Sequence, residues 1–190
     1  MREQVLTWLL ENVPQQRLQH ILGVEKTCIE LALDHDWDCQ QAAQAGLMHD
    51  LAKFFAPSRL LKMALEHNIE LDSITSSHPH LLHAEISAIV AKREFGIEDE
   101  NILTAIGNHT LGNPNMNKLS CILFVADKLE PNRGNTLQLE AMRQTSSQNL
   151  TKTVRQVCDY SIRHLLKTNS PIHPRTLLTR NWALKIEMKT

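Results

Sequence analysis

The segment Ala42–Lys53, which reads AAQAGLMHDLAK, decides the fold that we predict for this chain. Ala42, Ala45, Gly46 and His49 are spaced i, i+3, i+4 and i+7, so they share one face of a helix. Because the first three of these residues are small, the backbone of a neighbouring helix can approach this face closely. The segment therefore predicts a tightly packed helix whose small-residue face ends in a histidine.

His49 and Asp50 end this face with two side chains of the kinds that bind metal ions. Adjacent residues point about 100° apart on a helix, so both can reach one ion that lies beyond the small residues. Lys53 follows one turn later, where its ammonium group can reach an anionic oxygen near that ion. A second pair, His35-Asp36, lies in the polar run DHDWD, and we interpret it as a solvated connector. The dipeptide alone is therefore not diagnostic.

Composition is typical of a soluble globular protein. The chain has 190 residues, of which 42% are hydrophobic and 22% charged, with a formal net charge of −1. This length suits one domain with a substantial core. A net charge close to zero provides no overall electrostatic attraction for nucleic acid or an anionic membrane. We expect no secretory signal and no membrane span, because no apolar run is long enough. Four scattered cysteines favour a cytoplasmic location without disulfides, with Cys28 and Cys121 as core residues.

Apolar residues recur at helical spacing along most of the chain, and no segment shows a convincing strand pattern. The sequence therefore predicts an all-α protein. The expected helices cover Glu3–Val13, Pro14–Leu33, Asp38–Phe54, Arg59–His67, Pro79–Phe95, Asp99–Gly112, Asn117–Glu130 and Leu150–Lys167. The remaining segments are Ile69–Pro79, a polar linker; Leu137–Gln148, which is polar and weakly patterned; and the tail, a tight turn SPIHPRT followed by LLTRNWALK.

Histidines and carboxylates recur on the inner faces of these predicted helices. Asp127 lies inside LSCILFVADKL, where a carboxylate is costly to bury without a cation or hydrogen-bond donors. Gly23, which is unfavourable inside a helix, indicates that another group packs close to the helix of His20. Mixed imidazole and carboxylate ligands favour Fe, Mn or Zn over Mg or Ca. An ion with an open coordination position can bind a water molecule there and lower its pKa. The candidate inward set is His20, His49, Asp50, His83, His109 and Asp127.

Basic residues lie within one or two helical turns of these candidates. They are Arg17, Lys53 and Arg133. Guanidinium and ammonium groups in such positions suit the oxygens of a phosphoryl group under attack. The alternatives are that these cations are solvated surface residues, that His20 is an ordinary core histidine, and that Asp127 is a cap or an ion-pair partner of Lys128 or Arg133.

The ordered histidine and aspartate residues resemble those of the HD-domain metal phosphohydrolases. Five longer motifs are more specific, and they are similar to the YqeK-type symmetrical bis(5′-nucleosyl)-tetraphosphatases. This resemblance extends from about Arg17 to Trp182. The motifs are AGLMHDLAK (45–53), LLHAEISA (81–88), AIGNHTLG (105–112), ADKLEPNR (126–133) and IHPRTLLTRNW (172–182).

The resemblance implies a single HD domain over residues 1–190, folded as a helical bundle around a metal centre. Its core would cover about 17–133, and 134–190 would supply a C-terminal helix and a tail that closes over the nucleotide. The implied activity is hydrolysis of dinucleoside tetraphosphates, such as diadenosine tetraphosphate, into two nucleoside diphosphates. The implied cofactor is one or two ions of iron, or of another divalent transition metal such as manganese. The implied metal ligands are His20, His49, Asp50 and Asp127.

The resemblance also implies roles for other residues of the site. As a hypothesis about the mechanism, we predict that the catalytic residues are Asp50, Lys53, His83 and His109. The implied substrate-binding residues are Arg17, His20, Lys53, His83, His109, Asp127, Arg133, His173, Arg175 and Thr176. His83 and His109 would either complete a second metal position or contact the phosphates, and either is a candidate proton donor to the leaving diphosphate.

Three alternative functions stay open on the sequence alone. They are another HD-domain phosphohydrolase such as a nucleoside monophosphatase, an oxygenase with a mixed-valence di-iron pair, and a non-catalytic nucleotide sensor. The expected partner is a small-molecule nucleotide, with no nucleic acid and no membrane, and a homodimer is not excluded. We expect Phe54, Tyr160 and Trp182 to be core residues rather than base-stacking partners.

Overall fold

The structure is a computed structural model, and it describes residues 1–189. Over that range the chain is all-α, without a β-strand, as the sequence predicts. None of the helices in residues 1–189 combines the length and the apolar character needed to cross a bilayer. The α-helices are α1 (Arg2–Asn12), α2 (Gln15–Asp34), α3 (Cys39–Met48), α4 (Pro57–Glu66), α5 (Ser73–Ser77), α6 (His83–Phe95), α7 (Glu100–Asn108), α8 (Lys118–Leu129), α9 (Leu137–Ser146), α10 (Leu150–Lys167) and α11 (Pro174–Glu187).

Helix α3 lies at the centre of the bundle, where it contacts α1, α2, α6, α7 and α8. Its Ala42 and Ala45 are fully buried. A Cβ atom added to Gly46 would lie only 2.8 Å from the Cα atom of Glu25 in α2, so the two helix backbones touch at this point. The small-residue face that the sequence predicts is therefore confirmed. It places the end of α3, with His49, against the middle of α2.

Several helix boundaries are set by capping residues. The Asp38 carboxylate accepts hydrogen bonds from the amides of Gln40 and Gln41 at the start of α3. The Asp99 carboxylate accepts one from the amide of Asn101 at the start of α7. At the other end of α6, Gly96 adopts a left-handed conformation with φ of 67°, which glycine accommodates without a side-chain clash. Cys28 and Cys121 are buried core residues, as expected.

The predicted end of the central helix is wrong, because α3 ends at Met48 rather than near Phe54. The amide of Ala52 donates to the hydroxyl oxygen of Ser87, 2.9 Å away, instead of continuing the helical ladder. The chain then passes through turns from His49 to Phe54. Because the helix ends at Met48, the side chains of His49 and Asp50 can point toward the residues of α2, α6 and α8.

Three further segments differ from the prediction. The polar linker contains the short helix α5, whose capping box joins Asp72 and Thr75. Pro79 opens a 3-10 turn over Pro79–Leu82, so α6 begins at His83. The weakly patterned segment after Gly134 forms α9, which is anchored by only two buried apolar residues, Leu139 and Met142. That small number of anchors explains the weak periodicity.

The tail forms α11, which packs along α10. Arg155 of α10 pairs with Glu187 at 2.5 Å, and Arg180 of α11 pairs with Asp159 at 2.9 Å. Gly112, with φ of 70°, lies beneath Thr179 of α11, whose hydroxyl donates to the carbonyl oxygen of Leu111. The C-terminal segment is therefore fixed to the bundle at a point three residues beyond His109.

Candidate metal centre

The structure brings all six inward candidates together. His20 comes from α2, His49 and Asp50 follow α3, and His83 begins α6. His109 follows α7 and Asp127 lies in α8, and the first five of these six side chains are almost fully buried. Among residues 1–189, two groups of donor atoms are compact enough to hold an ion. These groups are His20, His49 and Asp50, and Asp50, His83 and His109.

Asp50 lies between the two groups and faces one with each oxygen. Its Oδ2 lies 3.3 Å from Nε2 of His49 and 4.0 Å from Nε2 of His20. Its Oδ1 lies 3.2 Å from Nε2 of His83 and 3.7 Å from Nε2 of His109. A carboxylate in this position can bind one ion or bridge two.

Three of the histidine rings are oriented by backbone carbonyl oxygens. Nδ1 of His49 lies 2.7 Å from the oxygen of Gly46, Nδ1 of His83 lies 2.5 Å from that of His80, and Nδ1 of His109 lies 2.7 Å from that of Ile106. Since a carbonyl can only accept, each Nδ1 must carry the proton. This leaves Nε2 of each ring facing the centre, and in the neutral form of the ring that nitrogen is the one that can bind a metal.

These nitrogen atoms and carboxylates form an electron-rich cluster that fits a cation. Nε2 of His83 and Nε2 of His109 lie 3.1 Å apart, a separation at which two lone pairs repel. Nε2 of His49 is fully buried and has no hydrogen-bond partner among residues 1–189. Because an unpaired buried polar atom is costly, a metal ligand is the interpretation that accounts for its burial. The donor set suits a divalent transition metal.

Burial and charge set the protonation states of this cluster. Burial lowers the pKa of His109 to about 4, although Asp50 opposes the change, so this imidazole is neutral at pH 7. Burial would raise the pKa of Asp50, but His49 and the hydrogen bonds of the neighbouring imidazoles hold it well below its usual value. Burial would likewise raise the pKa of Asp127, but His20 and Arg133 keep it low. Burial would lower the pKa of His49, but the charge of Asp50 outweighs it and raises that pKa. The centre therefore combines ionised carboxylates at Asp50 and Asp127 with a neutral imidazole at His109.

His20 is held differently, by a carboxylate that the sequence analysis did not assign to the site. Its Nδ1 lies 2.9 Å from Oε1 of Glu130, and its Nε2 lies 3.1 Å from Oδ1 of Asp127. Glu130 is buried, and its Oε2 accepts from the amide and side chain of Asn132. A Cβ atom on Gly23 would collide with Oε2 of Glu130. Gly23 was therefore the sequence signal for this carboxylate.

The three predicted cations also lie at the centre. Nη1 of Arg17 is 3.1 Å from Oδ2 of Asp50, and Nη2 of Arg133 is 2.7 Å from Oδ1 of Asp127. Nζ of Lys53 is 3.3 Å from Nε2 of His83. The alternative that all three are solvated surface residues is therefore wrong. Burial lowers the pKa of Lys53 relative to an exposed lysine.

Three cavities open around these residues. The central cavity, of about 210 Å³, lies over Asp50, His83 and His109 and is also lined by Lys128, which the sequence analysis did not assign to the site. The tail-side cavity, of about 480 Å³, lies against α10 and the start of α11. The N-terminal-side cavity, of about 570 Å³, lies against the first turns of α2 and includes Phe54.

The tail residues divide between this site and the framework. His173 and Thr176 line the tail-side cavity, as expected for residues near a nucleotide. Arg175 lines none of the three cavities, and its Nη1 lies 2.7 Å from Oε1 of Glu85. The predicted substrate contact of Arg175 is therefore not supported, because its guanidinium is committed to an ion pair that fixes the tail.

One of the three aromatic residues predicted to lie in the core differs from expectation. The Phe54 side chain is 50% exposed and borders the N-terminal-side cavity, so its prediction as a core residue is wrong. Tyr160 packs against the core, as predicted, and also lines the tail-side cavity. Trp182 packs against the core, as predicted.

Known proteins are similar to this chain over almost its whole length. The family described as HD domain matches residues 17–132. A symmetrical bis(5′-nucleosyl)-tetraphosphatase of Bacillus subtilis (strain 168) is 34% identical over 181 residues, covering 95% of this chain and 96% of that protein. A protein of the same name from Halalkalibacterium halodurans is 37% identical over 183 residues, covering 96% and 97%. A solved structure from Clostridium acetobutylicum, described as a predicted HD superfamily hydrolase involved in NAD metabolism, has a TM-score of 0.93 at 30% identity and covers 97% of both chains.

Proposed function

This chain belongs to the HD-domain family and, within it, to the symmetrical bis(5′-nucleosyl)-tetraphosphatases, and on that premise we propose that it hydrolyses dinucleoside tetraphosphates such as diadenosine tetraphosphate. The bridge would be cut at its centre to give two nucleoside diphosphates. One observation carries the proposal: a buried cluster of carboxylates and imidazoles meets four basic side chains in one cavity, those of Arg17, Lys53, Lys128 and Arg133. That combination suits a metal-assisted attack at phosphorus.

The metal would be held by His20, His49, Asp50 and Asp127, and His83 and His109 offer a second position with Asp50. We propose iron, with manganese as the nearest alternative, because mixed imidazole and carboxylate donors suit both. A divalent ion bound there supplies Lewis-acid polarisation of a phosphoryl oxygen and lowers the pKa of water.

The cations position and neutralise the phosphate chain. Arg17 and Arg133 present guanidinium groups from two elements, α2 and the turn after α8, and each already contacts a ligand carboxylate. Their remaining donors can bind phosphoryl oxygens in the fork geometry that guanidinium favours. Lys53, mostly buried beside His83, would stabilise the charge that develops on the attacked phosphoryl group.

His83 is the better placed of the two candidate proton donors. Its Nε2 accepts a hydrogen bond from Nζ of Lys53 at 3.3 Å and lies 3.1 Å from Oγ1 of Thr110. The Lys53–His83 pair can therefore hold a proton next to the leaving diphosphate and transfer it as the P–O bond breaks. Burial keeps His109 neutral, which suits a ligand rather than an acid.

Chromatography of the products from diadenosine tetraphosphate tests this proposal. The purified protein, with its metal content measured, should convert one molecule of substrate into two molecules of ADP and should do so without oxygen. Formation of AMP and ATP would contradict central cleavage. Tight nucleotide binding without turnover, in the presence of iron or manganese, would favour a sensor instead.

Several broader expectations belong to the same proposal. We propose one HD domain over residues 1–190, in which 134–190 form one side of the substrate cleft. A cytoplasmic location is supported by the four free cysteines, Cys28, Cys39, Cys121 and Cys158. The nucleotide substrate is the proposed partner, without nucleic acid or membrane, and a homodimer stays a prediction for light scattering to test.

A further inference from the structure

We propose that the N-terminal-side cavity binds the second nucleoside of the substrate, with the ring of Phe54 as the surface on which its base stacks. The inference rests on the proposed function, and it adds a binding site to it. Cleavage of a tetraphosphate at its centre requires that the middle of the phosphate chain lie at the metal centre. A substrate held in that register has a nucleoside on each side of the centre.

The three cavities adjoin one another, and the central one is lined by metal-centre residues. The central and tail-side cavities share Lys128 and Arg133. The central and N-terminal-side cavities share Arg17 and Arg133. Arg133 therefore borders all three. A polyphosphate lying over Asp50 can extend in both directions, and at each exit it passes basic side chains.

The two outer cavities follow the same plan. Each has cations on the edge nearest the metal centre and an aromatic ring in its lining: Tyr160 on the tail side and Phe54 on the other. Their volumes, about 480 Å³ and about 570 Å³, fall within the range of pockets that bind small ligands. The arrangement suits a nucleotide whose phosphates point inward and whose base points outward.

Phe54 is unusual in its surroundings. The residues just before it, Leu51 and Ala52, are buried, whereas the Phe54 side chain is 50% exposed. The guanidinium carbon of Arg17 lies 5.9 Å from the centre of the Phe54 ring. A cation thus lies over the ring, and half of the residue's surface stays accessible to a planar group. An aromatic ring placed in this way can stack on any nucleobase.

Polar groups beside Phe54 can complete the subsite. Gln16 and Gln19, in the first turns of α2, line the cavity and are exposed, so their amides can bond to a base edge or a ribose. The tail-side cavity instead carries His164 and His173. The two nucleosides of a symmetrical substrate would therefore meet different side chains.

The test compares substrates with one and with two nucleosides. Phe54→Ala should lower kcat/KM for diadenosine tetraphosphate about tenfold, the scale of a lost base–aromatic contact. It should change kcat/KM for adenosine 5′-tetraphosphate little, because that substrate has one nucleoside. Phe54→Trp keeps a stacking surface and should restore the rate. Leu137→Ala removes a side chain that is 86% exposed and lines none of the three cavities, so it serves as the control.

Equilibrium binding of ADP supplies a second readout. Calorimetry should find two ADP molecules per chain in the wild-type protein and one in Phe54→Ala. An unchanged kcat/KM together with two bound ADP molecules in Phe54→Ala would overturn the second subsite while leaving the proposed function intact. An equal loss for both substrates would also overturn it. Two ADP sites in a protein that does not cut diadenosine tetraphosphate would instead refute the function and keep the subsite.

Discussion

Histidine orientation at this centre depends on backbone carbonyls three residues earlier in the chain. His49 and His109 each follow a helix and donate to a carbonyl of its last turn, that of Gly46 and that of Ile106. The last carbonyls of a helix lack an intrahelical partner, so they are available to a side chain. The spacing that ends an apolar stripe in histidine therefore fixes both the position and the tautomer of the ring.

The two His-Asp pairs of the chain allow a matched test of Asp50. Asp50→Asn keeps the shape of the side chain but removes the charge that faces four imidazoles, so the protein should lose most of its metal and its hydrolysis of diadenosine tetraphosphate. Asp36→Asn makes the same change at an exposed residue whose φ of 51° asparagine tolerates, and should leave both unchanged. Elemental analysis and product chromatography measure the effects. An active, metal-loaded Asp50→Asn protein would refute the centre.

Glu130 should act as a positioning residue for His20. Glu130→Gln can still accept at one atom but no longer provides a carboxylate beside Nδ1 of His20, so we expect metal affinity to fall by about 10- to 100-fold. Titration with a competing chelator measures that affinity directly. Glu140→Gln, at an exposed residue of α9, is the control. If metal affinity is the same in both variants, the Glu130 contact does not support the ligand.

At the scale of helices, periodicity predicted most of the bundle, because a buried helix face requires apolar residues at regular spacing. No such spacing marks the end of α3. His49–Phe54 remains compatible with a helix, and the hydroxyl of Ser87, 35 residues away along the chain, decides where it stops. Helix α9 was missed for a related reason, since its two apolar anchors are too few to show a period. The inward histidines were predictable because they extend apolar stripes. Glu130 needed the three-dimensional contact with His20.

Two helical glycines should respond oppositely to the same substitution. Gly46→Ala would place a Cβ 2.8 Å from the backbone of α2, so the helices must separate, and we expect a loss of about 1–3 kcal/mol in the free energy of unfolding. Gly107→Ala, in α7, meets no atom within 4 Å and should add about 0.5–1 kcal/mol through the gain in helix propensity. Urea denaturation measures both. Equal effects would mean that α2 and α3 are not in backbone contact.

Across the whole molecule, the substrate cleft is assembled from parts that are far apart in sequence. Nε2 of His173, just before α11, donates a hydrogen bond to Oδ2 of Asp72 beside α5 at 2.6 Å, and Arg175 forms an ion pair with Glu85 of α6. These two contacts join residues 101 and 90 positions apart. No local pattern encodes such pairing, which explains why the sequence placed Arg175 at the substrate. The tail is a wall of the cleft because these pairs hold it there.

Breaking the Arg175–Glu85 pair should therefore change substrate binding more than catalysis. Arg175→Gln and Glu85→Gln should each raise KM for diadenosine tetraphosphate several-fold with little change in kcat, since the metal centre is untouched and only the wall near Thr176 loosens. The double variant should be no worse than either single variant, with a coupling of about 1 kcal/mol for a partly exposed pair. Lys62→Gln, which breaks an exposed pair with Glu66, should leave KM unchanged. If Arg175→Gln instead lowers kcat alone while Glu85→Gln has no effect, the guanidinium contacts the reacting phosphates and the tail needs no such anchor.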